Sequence, residues 1–175
     1  MPLRDDNGPV EDRWTRVAEG EPLADASILD LADADARGAS LEGIDPSRLG
    51  LHVANDVAAD ALVPWFGRVS LISIAFPSFS DGRGFSVARS LRQRGFEGRL
   101  RAAGPVIADQ YAYLRACGFD EVETPAAVAN RQPEAVWAEL GAAERLRYQR
   151  GYPGARSIPD ARREAHGETH DERRP

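Results

Sequence analysis

The chain has 175 residues, 42% of them hydrophobic, and a formal net charge of −6. This length and composition predict one folded domain with its own core, and the acidic balance argues against non-specific nucleic-acid binding, which needs a basic surface. No apolar run is long enough for a membrane span. The charged N-terminus lacks the apolar segment of a secretory signal, so we expect a cytoplasmic protein that binds neither nucleic acid nor membrane.

Three residue types limit the chemistry that the chain can perform. Cys117 is the single cysteine, so no disulfide and no redox pair of cysteines can form within the chain. All 22 basic residues are arginine, which excludes a Schiff-base lysine and a phosphate-loop lysine. His52 is predicted to be a packed strand residue, and the other two histidines lie near the C-terminus, so no metal site is expected. The residue types therefore identify no cofactor.

Hydrophobic patterns and turn residues divide the chain into an N-terminal arm, one domain and a tail. Residues 1–13 are polar and predict a flexible arm, 14–150 predict a single α/β domain, and 151–175 predict a disordered charged tail. Residues 23–36 favour neither helix nor strand. Strands are predicted at 14–18, 49–53, 69–76, 99–103 and 119–123. Helices are predicted at 56–66, where Asp56 is the N-cap and Pro64 weakens the pattern, and at 86–94, 105–117 and 132–148.

The alternation of these strands and helices predicts the fold class. A repeat of strand and helix at intervals of about 20 residues is typical of βαβ units with right-handed crossovers. We therefore predict an α/β fold with a mostly parallel sheet in an open three-layer arrangement. A partial β/α barrel is the alternative, since too few units are present to close an eight-stranded barrel.

Ligands of parallel α/β folds bind beyond the C-terminal ends of the strands. Three segments follow predicted strands in this way: Asn55-Asp56, residues 77–86 and residues 102–104. Polar side chains are concentrated in the middle segment, which an apolar strand precedes and a helix follows. The sequence therefore predicts the site in this segment.

The six residues from Asp81 to Ser86 have the character of an anion site. Gly82 and Gly84 allow the backbone to turn its N–H groups towards a ligand, and Ser86 is predicted at a helix start, where the helix dipole favours an anion. Arg83 adds a planar donor pair suited to an oxyanion. The alternative is a tight loop in which Asp81 and Ser86 cap the helix and Arg83 is solvated or paired with Asp81.

Two further positions are candidates. Arg101 lies on a predicted buried strand and therefore needs an acidic partner or a ligand, and Asp109 or Asp81 is expected to be that partner. Asp109 and Gln110 lie in the first turns of the next helix, where an acid also has the plain role of favouring the helix dipole.

A set of motifs in this order resembles a known family. The motifs are Phe-Pro-Ser-Phe-Ser-Asp-Gly-Arg-Gly-Phe-Ser at 76–86, Gly-Arg-Leu-Arg-Ala at 98–102, Asp109-Gln110, and Cys-Gly-Phe-Asp at 117–120. Over about residues 49–123 they resemble the bacterial domain of unknown function family nine hundred thirty-four, often labelled an oxidoreductase of sulfite reduction. The chain departs from the family pattern at Gly104-Pro105, where an acid usually follows the glycine.

The resemblance implies a place in assimilatory sulfur metabolism, beside a sulfite or nitrite reductase component. The signature positions that it implies are Phe76, Pro77, Phe79, Asp81, Gly82, Arg83, Gly84 and Ser86, followed by Arg101, Asp109 and Gln110.

Three readings of the function follow. In the first, Arg83 holds a small oxyanion of sulfur assimilation and Asp81 or Asp109 moves a proton. In the second, the chain is an accessory module that binds a reductase component. In the third, it is a structural α/β domain. We favour an accessory role in sulfite reduction that includes an oxyanion-binding loop.

Overall fold

The described residues form a central β-sheet with helices packed against it. The computed structural model describes residues 1–143, 146–147 and 156–157. The strands of the main sheet are β1 Leu3–Asp5, β2 Gly8–Val10, β3 Thr15–Arg16, β4 Ser27–Asp30, β5 Leu49–Val53, β6 Leu71–Ala75, β7 Arg99–Ala103 and β8 Glu121–Glu123. The helices are α1 Leu31–Arg37, α2 Ala59–Leu62, α3 Arg83–Gln93, α4 Tyr111–Cys117, α5 Ala126–Ala129 and α6 Glu134–Ala143. Strands β9 Leu146–Arg147 and β10 Arg156–Ser157 form a separate parallel pair.

The order of the strands determines which side the helices occupy. The main sheet runs β2-β1-β8-β7-β6-β5-β4-β3, with β3 to β8 parallel and β1 antiparallel to both β2 and β8. The order from β3 to β8 never reverses, so right-handed crossovers place every connecting helix on one face. Buried residues of α1, α2, α3, α4 and α6 accordingly share one hydrophobic core with one face of the strands.

The sheet is curled into a half-barrel. Only residues 11–14 separate β2 from β3, which are the two outer strands. Five residue steps span at most about 18 Å, whereas the outer strands of a flat eight-stranded sheet would lie about 33 Å apart. Arg16 on β3 also reaches Glu123 on β8, with 3.0 Å between guanidinium and carboxylate. The predicted α/β class and mostly parallel sheet are confirmed, and the curvature corresponds to the partial-barrel alternative.

Alternation along the strands gives the sheet two chemically different faces. On β7, Leu100 and Ala102 point into the helix-covered core, while Arg101 points to the concave face. On β6, Ile72 and Ile74 lie in the core and Ser73 lies on the concave side, where it meets Arg16. The concave interior of the half-barrel therefore carries polar and charged side chains.

The structure differs from the sequence predictions at the N-terminus. Residues 1–13 are predicted to be an arm, whereas β1 pairs with β8 and β2 continues the sheet. Leu3 is the one residue of β1 with a buried apolar side chain. The remaining contacts are backbone hydrogen bonds and ion pairs such as Arg4–Glu134 and Arg115–Asp6, which leave no hydrophobic pattern in the sequence. The predicted tail at 151–175 lies outside the described residues, apart from 156–157.

Several element boundaries also move. Residues 23–36 contain both a strand and the first part of a helix, β4 and α1. The helix predicted at 56–66 is reduced to α2 and a 3-10 turn at Val63–Trp65, because Pro64 cannot donate the hydrogen bond of a longer helix. Helix α3 starts at Arg83 rather than Ser86. None of the helices in the described ranges has both the length and the hydropathy needed to cross a bilayer.

Candidate functional site

Segments that follow β5, β6 and β7 meet beyond the strand ends, and the side chain that joins the third is Gln110 rather than a residue of 102–104. Arg83 donates from Nη1 to Asp56 Oδ2 at 3.2 Å, which joins the end of β5 to the start of α3. Gln110 donates from Nε2 to the carbonyl oxygen of Phe79 at 2.6 Å, which joins the loop after β6 to the turn after β7. Because the C-terminal ends of parallel strands lie at one edge of a sheet, the loop at 76–82 and its neighbours form one surface there.

Arg83 is paired with two carboxylates in this surface. Its Nε and Nη2 donate to Asp81 at 3.0 and 2.8 Å, while Nη1 reaches Asp56. The backbone N–H of Arg83 also donates to Asp81 Oδ1 at 3.3 Å. These bonds from Arg83, and the nearby Asn55 side chain, hold the pKa of Asp81 far below its ordinary value. An intramolecular carboxylate thus occupies the place beside Arg83 where the sequence predicts an external anion.

Neither glycine of the loop has a positive φ, and close packing requires glycine at Gly84 alone. Gly82 is the N-cap of α3 with φ −84°, and Gly84 lies inside the helix. A Cβ atom on Gly84 would lie 2.7 Å from Cζ of Phe76, so only glycine lets α3 approach that buried ring. Ser86 is the fourth residue of α3, beyond the four N–H groups, from Gly82 to Phe85, that a helix start leaves for an anion. The structure therefore brings Gly82, Gly84 and Arg83 together but places Ser86 one turn further along.

Gln110 and Asp109 lie on the 3-10 turn Ala108–Gln110 that precedes α4. Gln110 accepts from the N–H of Ile107 at 3.2 Å while it donates to Phe79, so its side chain links two loops. Asp109 is exposed on the same turn. Asp109 thus neighbours Gln110, which contacts the loop, whereas Arg101 makes its contacts in the interior.

Two exposed aromatic side chains complete the edge surface. Phe79 is 58% exposed and Tyr113 is 52% exposed. Tyr113 packs edge-on against Phe85 with 4.8 Å between ring centroids, and Phe85 packs in the same way against Phe76 at 5.2 Å. Sequence reasoning did not identify Tyr113. The signal was present, because Tyr113 lies off the apolar helix face that Ile107, Tyr111 and Leu114 share.

The surface of Asp56, Phe79, Asp81, Arg83, Asp109 and Tyr113 is called the edge face below.

Arg101 lies in the interior of the half-barrel, and its predicted partners are wrong. Its side chain is 1% exposed. It is paired neither with Asp109 nor with Asp81 but with Asp12, Glu121 and Glu123, which lie at 2.8, 2.7 and 3.2 Å. Burial acts to lower the pKa of Arg101, but its hydrogen bond to Asp12 and the charge of Glu121 raise it overall. The sequence could not identify Asp12, because it precedes Arg101 by 89 residues.

His52, Ser73 and Arg16 form the other half of this interior. Arg16 donates to Ser73 Oγ at 3.3 Å, and Ser73 Oγ lies 3.1 Å from His52 Nδ1. The tautomer of His52 determines whether Ser73 Oγ or His52 Nδ1 is the donor in this hydrogen bond. Burial and the positive charge of Arg16 lower the pKa of His52, so its imidazole is neutral at pH 7. The described residues contain no cluster of three or more His, Cys, Asp or Glu side chains arranged to hold a metal ion.

Together these features define an α/β half-barrel protein with an ion-paired interior and an aromatic, charged edge face. The chain belongs to the family described as bacterial protein of unknown function (DUF934), whose model matches residues 50–158, more than half of the chain. The resemblance seen in the sequence motifs is thereby confirmed. The matched range includes the 76–82 loop, Arg101 and Gln110 but not β1 to β4. Comparison with curated proteins gave no match, and no solved structure matched the chain.

Proposed function

We propose that this protein is an accessory factor of assimilatory sulfur metabolism that docks onto a sulfite or nitrite reductase component through the edge face. The observation that carries the proposal is the exposure of Phe79 and Tyr113, at 58% and 52%, on the same edge face as Arg83, which is also 58% exposed. Aromatic and arginine side chains are enriched among the residues that dominate protein–protein binding energy. The metabolic setting comes from the label that members of the family often carry.

The rigidity of the edge face supports a binding role. Gln110 fixes the carbonyl of Phe79, and Phe85 supports the ring of Tyr113. The pairing of Arg83 with Asp81 holds the start of α3. A surface that is already ordered loses less conformational entropy when a partner binds.

The charge of the edge face indicates the kind of surface that it fits. Three carboxylates, on Asp56, Asp81 and Asp109, accompany a single arginine there. An acidic face is complementary to a basic one, so the partner component should present a basic patch and association should slow as salt rises. The accessory reading also agrees with the single cysteine of the chain, since electrons would come from the cofactors of the reductase.

Binding measured by calorimetry between the purified protein and purified reductase components tests this proposal. Phe79→Ala should weaken binding at least about tenfold, which corresponds to about 1.4 kcal/mol. Val63→Ala is the matched control, because Val63 is 45% exposed but follows α2, at the opposite end of the strands. Equal affinities of the two variants, or no binding of the wild-type protein to any component, would contradict the proposal.

A second candidate function is oxyanion binding by Arg83 itself. The side chain is 58% exposed, and its hydrogen bonds to Asp56 and Asp81 use three of the five guanidinium N–H groups. In this second candidate function, the two remaining N–H groups bind the ligand. Asp81 stays ionised, so it anchors Arg83 rather than supplying a proton.

Thermal unfolding with sulfite, sulfate and phosphate tests the second candidate. A ligand at about 100 times its dissociation constant stabilises by about 2.7 kcal/mol, and Arg83→Gln should abolish that gain. Arg89→Gln, on the same helix, should retain it. A gain that survives in Arg83→Gln would exclude Arg83 as the receptor.

A further inference from the structure

A short segment closes the mouth of the half-barrel. Residues 11–14 join β2 to β3, belong to no strand, and cross the concave side of the sheet. We call them the strap. Asp12 on the strap reaches Arg101, with Oδ2 at 2.8 Å from Nη1 and Oδ1 at 2.9 Å from Nη2. This is the two-point geometry in which an arginine holds any oxyanion that has two adjacent oxygens.

The sheet itself provides the remainder of a receptor around Arg101. Glu121 accepts from Nε at 2.7 Å and Glu123 accepts from Nη1 at 3.2 Å, and both carboxylates are buried. They hold the guanidinium from neighbouring strand β8. The outer edge of the guanidinium, with one donor on Nη1 and one on Nη2, is left for the strap.

Asp12 differs from the two glutamates in how it is held. Its side chain is 24% exposed, against 4% and 7% for Glu121 and Glu123. Burial acts to raise the pKa of Asp12, but the hydrogen bonds from Arg101 and from the Trp14 N–H lower it overall. The range matched by the family model contains Arg101 and both glutamates but not the strap. Asp12 is thus the one partner of Arg101 that can leave without a break in the sheet.

We propose that Arg101 is the receptor of an interior site for a small oxyanion with two coordinating oxygens, and that Asp12 fills this site in place of the ligand. A carboxylate is the group seen in the site, and a sulfur oxyanion offers the same pair of oxygens. The ligand enters as the strap lifts, and it takes over the two hydrogen bonds of Asp12. This site is separate from the edge face and does not depend on the docking proposal.

The experiment compares oxyanion binding by the full-length wild-type chain and by Asp12→Ala. Acetate, sulfite and sulfate are titrated at constant ionic strength, with chloride as the control anion, and binding is followed by calorimetry. Asp12→Ala should bind acetate or a sulfur oxyanion at least about tenfold more tightly than the wild-type chain, because the wild-type chain must first displace its own carboxylate. The double variant Asp12→Ala, Arg101→Met should bind neither.

The amide signal of Trp14 reports on the wild-type strap, because this N–H donates to Asp12 Oδ1 at 3.0 Å. Saturating oxyanion should shift that signal in the wild-type chain. Asp45→Ala is the matched variant, since Asp45 also accepts a backbone N–H two residues along, from Ser47, and it should bind oxyanions no more tightly than the wild type does. If Asp12→Ala does not fold in chloride, recovery of the folded state in acetate or a sulfur oxyanion supports the site. The proposal is overturned if Asp12→Ala recovers no folded state in any of the three oxyanions, or if Asp12→Ala and Asp45→Ala bind oxyanions with equal affinity.

Discussion

Replacing Gly104 by alanine tests how the edge face is supported. Gly104 follows β7 with φ +145°, and a Cβ atom there would lie 2.0 Å from the carbonyl oxygen of Phe76. The atom that it would strike is backbone and cannot rotate away. Phe76 is itself fixed, because its N–H donates to Ala103 O at 2.7 Å and its ring is 1% exposed.

The expected cost has two parts. A side chain at a positive φ of this kind costs about 1–3 kcal/mol, and the backbone shift that makes room for the Cβ atom costs about 1–3 kcal/mol more. The sum of about 2–6 kcal/mol is a large share of the roughly 5–15 kcal/mol by which a domain is stable. For a chain of this length each kcal/mol lowers Tm by about 2–4 °C, so Gly104→Ala should lower it by at least about 4 °C.

Urea unfolding of Gly104→Ala and Gly20→Ala separates the two parts. Gly20 also has a positive φ, +79°, but no atom lies within 4 Å of a Cβ atom there. Gly20→Ala should therefore lose only the conformational part, about 1–3 kcal/mol. If both variants lose the same free energy of unfolding, the contact with Phe76 is not what requires glycine, and the reasoning fails.

Three other predictions concern stability. Arg83 lowers the pKa of Asp81 from 3.8, so their pairing stabilises the fold fully above pH 3.8, and this stabilisation is lost as the pH falls through the lowered pKa. The urea midpoint of Asp81→Asn should therefore fall less on acidification than the wild-type midpoint does. An equal dependence of the two midpoints on pH would contradict this. Trp137→Ala should lower the free energy of unfolding in urea by about 3–5 kcal/mol, because Trp137 is 2% exposed. A loss under about 1 kcal/mol would mean that α6 does not pack as described. Arg92→Ala should cost about 2–3 kcal/mol in the same assay, since Arg92 donates twice to Gly118 O, and an unchanged midpoint would refute this role.

The central strands β5 to β8 and the loop residues of the edge face could be predicted because their signals are local, whereas Tyr113 was not identified. The apolar run at 69–76 is buried on both faces of β6, where Leu71, Ile72 and Ile74 are all fully buried. The loop residues follow strand ends, and parallel strands bring their C-terminal ends together. The pairing of Arg83 with Asp81, two residues away, was likewise among the alternatives that the sequence offered.

The interior could not be predicted because its partners are distant in sequence. Arg16 and Glu123 are 107 residues apart, and Arg101 and Asp12 are 89 apart. Their pairing depends on the curl of the sheet, which brings β3 opposite β8. Arg101 itself was identified as a residue that needs a partner, since a buried guanidinium without one is too costly. The cost of burying an unpaired charge predicts that Arg101 has an acidic partner, but only the fold determines which acid it is.

Glu123 connects the two parts of the molecule. Its carboxylate accepts from Arg101 and Arg16 in the interior, and its backbone carbonyl accepts from the N–H of Gly104 at 2.9 Å. Gly104 in turn leaves no free space against the carbonyl of Phe76. A displacement of Glu123 must therefore be taken up at the start of the 76–82 loop, because close-packed backbone transmits such strain. The interior ion pairs thus help to hold the edge face, although buried ion pairs in general add little stability over an apolar interior.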